Sequence, residues 1–171
     1  YIRNSQGQTL RKIGPIWVNG IGDCQSGEGY LVKMFSSDEI IYPASTKSSS
    51  KTTISPTYLS FKGGNPADPV YTMYIKGLKI GDEVAAFDNE IIVGATTILS
   101  KNVFDNSMAL FSTLTNGEGY TAGNPIKLKI WYTKTGEIVD VKFNMEAIYD
   151  SYVSDVYPPQ DGKYSIVNIT K

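Results

Sequence analysis

The stretch Gly77-Leu-Lys-Ile-Gly-Asp-Glu-Val-Ala-Ala-Phe-Asp-Asn-Glu-Ile-Ile-Val-Gly-Ala-Thr96 reads as two strands joined by a tight turn. Residues 84–87 form the first apolar run and residues 91–95 the second, with Asp88-Asn89 between them. Asp and Asn tolerate the positive φ values that a two-residue hairpin turn demands. The segment sets the class as β, and it contains no evident catalytic apparatus.

The rest of the chain speaks the same language. Ile126-Lys-Leu-Lys-Ile-Trp-Tyr-Thr133 alternates cleanly. Ile126, Leu128, Ile130 and Tyr132 share one face, and Lys127, Lys129, Trp131 and Thr133 the other. In 70–76, Tyr71, Met73 and Ile75 point one way and Thr72, Tyr74 and Lys76 the other. In 58–62, Leu59 and Phe61 share a face. Further strands are expected at 29–35, 39–42, 109–114, 138–143 and 162–169. Such spacing, with turn signals between, predicts an antiparallel β-sandwich. The interval 144–152 is the one helix-like piece, with Met145, Ile148, Tyr149 and Tyr152 at helical spacing. The composition agrees: 12 Tyr and 16 Gly among 171 residues belong to a strand-and-turn vocabulary.

The polar, low-complexity run Ser45-Thr-Lys-Ser-Ser-Ser-Lys-Thr-Thr53 reads as a linker. The expected division is a small β-rich unit at 1–45, a linker at 46–57 and the sandwich at 58–171. About 45 residues is marginal for an independent core, so the first unit is either incomplete or packs on the sandwich. The chain begins at Tyr1 without a Met or a signal-like segment, as a fragment or processed product would. Gly-Glu-Gly-Tyr occurs at 27–30 and again at 117–120. Differing flanks favour shared turn chemistry over a duplicated loop.

Several function classes are disfavoured. The formal net charge is −1, so no electrostatic case exists for nucleic acid or an anionic membrane surface. No run approaches the ~18 apolar residues of a membrane helix. Cys24 is the only cysteine, which rules out an internal disulfide. The chain has no histidine, which removes most zinc sites and every Ser-His or Cys-His pair.

The carboxylates Asp82, Glu83, Asp88 and Glu90 cluster in sequence. A pair about 5–9 Å apart can hydrolyse a glycoside. Strand entry and turn formation explain these residues without catalysis, so a non-enzyme is expected, with no cofactor. Asp82, Asp88 and Asp68 are the candidates for a structural calcium ion. The aromatics offer a binding surface. Trp131, Tyr74 and Tyr58 each share a face with polar residues, and together they would form a platform for the apolar faces of sugar rings. The competing expectation is that a second layer covers them. Trp17 is expected in the core.

The segment 79–95, with Gly-Asp-Glu, Phe87-Asp-Asn and Val93-Gly-Ala, resembles a repeated accessory module of large secreted proteins of Bacteroidetes-type bacteria. Gly119-Tyr-Thr-Ala-Gly-Asn-Pro125 and the strand bearing Trp131 continue the resemblance, which covers about two thirds of the chain. Trp17-Val-Asn-Gly-Ile-Gly-Asp23 and Gly27-Glu-Gly-Tyr-Leu-Val-Lys-Met34 look like the end of a second such module lacking its opening strand. Asn89 stands where the family usually has Gly. The resemblance implies a non-catalytic module, extracellular or at the cell surface, and carries no assigned functional residues. The expected role is carbohydrate binding, with a polysaccharide or glycan as partner. The alternative is a structural scaffold, adhesin or filament subunit acting on neighbouring protein modules through exposed strand edges.

Overall fold

The computed structural model describes residues 1–25, 28–34, 56–61, 70–112, 119–159 and 161–170. The fold is all-β. The N-terminal strands are β1 (Ile2–Arg3), β2 (Thr9–Ile13), β3 (Ile16–Asn19) and β4 (Leu31–Val32). They form a four-stranded sheet in the order β3-β2-β1-β4. Then come β5 (Val70–Lys76), β6 (Glu83–Asp88), β7 (Ile91–Thr97), β8 (Ser107–Phe111), β9 (Lys127–Trp131), β10 (Ile138–Glu146) and β11 (Tyr164–Thr170). These seven join in the order β7-β6-β9-β10-β11-β5-β8. The expected linker at 46–57 lies outside the described residues apart from its last two positions. The expected strand at 39–42 and the candidate ligand Asp68 lie wholly outside them.

β10 turns this sheet into two layers. Its residues 138–141 pair with β9, and 142–146 pair with β11. The layers enclose a core that includes Tyr71, Met73, Ile75, Val84, Val93, Leu110, Leu128, Ile130 and Val167. β7 and β8 stand at the two ends of the strand order, yet they approach each other through Gly94. A Cβ at that position would lie 2.3 Å from the Ala109 carbonyl oxygen. A bulge prepares the approach: Ala86 pairs with Gly94 and Phe87 with Ile92, which leaves Val93 as the extra residue on β7. Bulges bend the strand and sharpen its twist.

One pairing departs from the antiparallel expectation, since β11 runs parallel to β5. Both strands are buried along nearly their whole length. That is the condition under which near-continuous apolar strands such as Val-Tyr-Thr-Met-Tyr-Ile arise. Their second face is covered by the N-terminal sheet. Ile13 and Val18 pack there against Tyr74, Tyr164 and Ile166. Among the described residues the small unit shows no separate core; it supplies a third layer.

Three local expectations need correction. The hairpin turn falls one residue later, because Asp88 pairs with Ile91 and leaves Asn89-Glu90 as the loop. Asn89 supplies the positive φ, at 55°. The interval 144–152 is not helical: β10 continues to Glu146 and a turn comes after it. Met145 shares the inward strand face with Val141 and Phe143, whereas Ile148 and Tyr152 pack on the core from the turn and the chain after it. Trp17 is 64% exposed and lies outside the core.

Candidate functional site

Of the three aromatics expected to form a platform, the fold separates Tyr74 from the other two. Tyr74 is 1% exposed and lies beneath the N-terminal sheet. It is not a ligand-binding residue. Its ring meets Phe104 and Tyr164 edge-on, at centroid distances of 5.4 and 6.2 Å. Polar neighbours at Thr72 and Lys76 suggest an outward face, but Thr72 is itself covered and accepts a hydrogen bond from the Arg11 guanidinium (3.3 Å).

Tyr58 and Trp131 do come together. Their rings stack at 3.9 Å with 12° between planes. Tyr58 belongs to no strand. Its position is set by Glu83, the residue paired with Trp131 across β6 and β9. The backbone N–H groups of Thr57, Tyr58 and Leu59 all donate to the Glu83 carboxylate, at 2.7, 2.8 and 2.9 Å. Glu83 is 4% exposed, so these are charge-assisted bonds sheltered from water. The segment continues across the sheet to Phe61, which stacks on Phe111 of β8 at 5.8 Å. Residues 57–61 thus strap β9 and β6 to β8, on either side of the point where β7 and β8 meet.

The stacked pair is not a two-ring platform. Trp131 is half-buried beneath Tyr58, and Tyr58 is 59% exposed. Only the Tyr58 ring presents a broad face to solvent. Beside the pair, Ile138 lies opposite Trp131 in register and is exposed; two residues further along the same strands, Lys129 forms an ion pair with Asp140 (3.8 Å). The Lys129 ammonium also lies over the Phe87 ring at 5.2 Å. The surface is an amphipathic ring with an apolar flank and a charged rim.

Asp82 and Asp88 serve the backbone. Asp82 accepts from the N–H groups of Lys79 and Thr133, both at 3.0 Å. Asp88 accepts from Thr121 N–H (2.6 Å) and from the Asn124 side-chain amide (2.8 Å). Each carboxylate is nearly buried and its oxygens face N–H donors, which suits an anion acceptor and not a calcium ligand. Among the described residues no group of three or more His, Cys, Asp or Glu side chains could hold a metal ion. Asp82 and Asp88 also stand at opposite ends of β6. Six residues of strand at ~3.3 Å each separate them by about 20 Å, far beyond a glycosidase pair.

Sequence reasoning missed Glu83 as the anchor of the site. A carboxylate opening a strand reads as ordinary punctuation, and its partners lie 24–26 residues away. Comparison with family models, with curated proteins and with solved structures finds no match for this chain.

Proposed function

We propose that the chain is a non-catalytic, extracellular carbohydrate-binding module, and that Tyr58 is its principal stacking residue. The observation that carries the proposal is the Tyr58–Trp131 stack, anchored by Glu83. It holds a large amphipathic ring flat and open to solvent at low entropic cost. A pyranose ring would lay its C–H face on Tyr58. The Lys129–Asp140 rim would exchange hydrogen bonds with its hydroxyls. The motif resemblance to accessory modules of secreted Bacteroidetes-type proteins supports the same role and a location at the cell surface.

Affinity electrophoresis against neutral polysaccharides, backed by a glycan array, tests the proposal. Retention should fall at least tenfold in Tyr58→Ala and persist in Tyr58→Phe. Absence of any neutral ligand for the intact chain would overturn it.

A second reading, a scaffold subunit, is favoured by β4. Among the described residues it ends the N-terminal sheet with Leu31 and Val32 about 40% exposed, the arrangement that strand addition by a neighbouring module would use. Light scattering distinguishes the two, since assembly predicts mass that rises with concentration.

A further inference from the structure

A concave surface that does not include Tyr58 lies elsewhere on the molecule. The N-terminal sheet, the Asp150 turn and the entry to β11 border a cleft of about 500 Å³. That is within the ~300–1,000 Å³ range of small-ligand sites. Trp17 lines it with its ring 64% exposed. Lys12 lies directly opposite Trp17 across β2 and β3, and Lys33 and Lys163 complete the basic lining.

The charges in this cleft are unevenly committed. Asp161 accepts from Val70 N–H (2.6 Å) and the Tyr1 hydroxyl (2.8 Å), and lies 3.9 Å from the Arg3 guanidinium. Asp150 accepts from the Tyr164 hydroxyl (2.8 Å). The cations are differently placed. Among the described residues no carboxylate forms an ion pair with Lys12, Lys33 or Lys163. Arg11 is 4% exposed and rigidly held, with bonds to Thr9, Thr72 and the Gly162 carbonyl. The rings of Tyr1 and Tyr164 flank its guanidinium at 5.4 and 5.6 Å. Three of its five N–H groups are used, and the residue forms part of the cleft wall. A chain of net charge −1 thus concentrates uncommitted positive charge beside one exposed indole.

We propose that this cleft binds an acidic saccharide, a sugar bearing a carboxylate or sulfate group. Trp17 stacks on the apolar face of the ring, and Lys12, Lys163 and Arg11 pair with the anion. A free inorganic anion would leave the indole unused, and a neutral sugar would leave the lysines unused. The proposal takes its ligand class from the carbohydrate-binding reading but rests on different residues, so the two fail separately.

Calorimetric titration of the chain with a trimer of galacturonic acid, a sulfated disaccharide, their neutral counterparts and sodium sulfate is the test. One or both acidic sugars should bind. Affinity should fall at least tenfold in Trp17→Ala and in the Lys12→Gln/Lys163→Gln pair, and fall with added salt. Tyr58→Ala should leave it unchanged. The acidic sugar that binds identifies the anion. Both substituted sites are partly or largely exposed, so loss of fold is not expected, and circular dichroism verifies it. Binding of sulfate as tight as the sugar, equal binding of neutral counterparts, unaltered affinity in the variants, or no acidic ligand would each overturn the proposal.

Discussion

Single carboxylates decide most of the local geometry. Glu83, Asp82 and Asp88 look like an acidic cluster along the sequence, yet each gathers N–H groups from distant segments. Glu83 carries the largest consequence, because it positions Tyr58. Replacing it by alanine strands three backbone donors in a sheltered site, a loss on the order of 1–3 kcal/mol. Urea unfolding of Glu83→Ala should show that loss, with Glu83→Gln intermediate because it keeps one acceptor oxygen. In a Trp17→Phe background Trp131 is the sole indole, and its emission should shift to the red as Tyr58 lifts away. Unchanged stability and emission would show that the strap is held by its other contacts alone. Trp17 illustrates a different lesson. The pairing of Ile13 with Ile16 across Gly14-Pro15 places Trp17 opposite Lys12. Neither that register nor the exposure of the ring is expected from the sequence.

At the scale of elements, the decisive feature is the meeting of β7 and β8. Their backbones approach at Gly94, where a side chain has no room beside the Ala109 carbonyl and the Leu110 side chain. A backbone oxygen cannot rotate aside as a flexible side chain can. Gly94→Ala should therefore cost about 1–3 kcal/mol through overpacking. Denaturant titration checks this, and a variant as stable as the parent would mean that the seam is loose. The hairpin is legible as a hairpin because apolar runs and turn chemistry are local. Its bulge is not, since the extra residue Val93 exists to fit β8, more than ten residues away. The parallel β5–β11 pairing is hidden for the same reason. Its partners are some 90 residues apart, and alternation says nothing about strand direction.

For the whole molecule, tyrosine is the distinctive core material. Tyr71, Tyr120 and Tyr152 meet edge to face, and Tyr157 stacks on Tyr120 at 4.8 Å. The Tyr71 hydroxyl donates to Ser165, which donates to the Tyr152 carbonyl, and the Tyr157 hydroxyl donates to the Phe87 carbonyl. Burial pushes the Tyr71, Tyr120 and Tyr157 phenols well above the usual tyrosine range. Tyr1 is pushed up to about 12, by burial first and by its bond to Asp161 second. The fold thus keeps protons that an unfolded tyrosine releases near pH 10. Stability from this source is complete below about pH 10 and is lost as pH rises through 12 and beyond. The melting temperature should fall steeply above pH 10. Tyrosinate absorbance from the core should appear together with unfolding. Reversible titration of all twelve tyrosines near pH 10 in the folded protein would mean that water reaches the core.

The sequence by itself determined the β class, the seven strands from residue 70 onward and the two faces of β5 and β9. It did so because alternation and turn chemistry act between near neighbours. Tertiary structure decided which of those faces meets water. Period-2 patterning distinguishes two sides of a strand but not how many layers cover them. Tyr74 and Trp131 look equally outward in sequence; the N-terminal sheet buries the first, and the strap held by Glu83 covers the second with Tyr58. The cleft beside Trp17 arises in the same way, from segments about 150 residues apart whose charges become neighbours only when the third layer docks on β5 and β11.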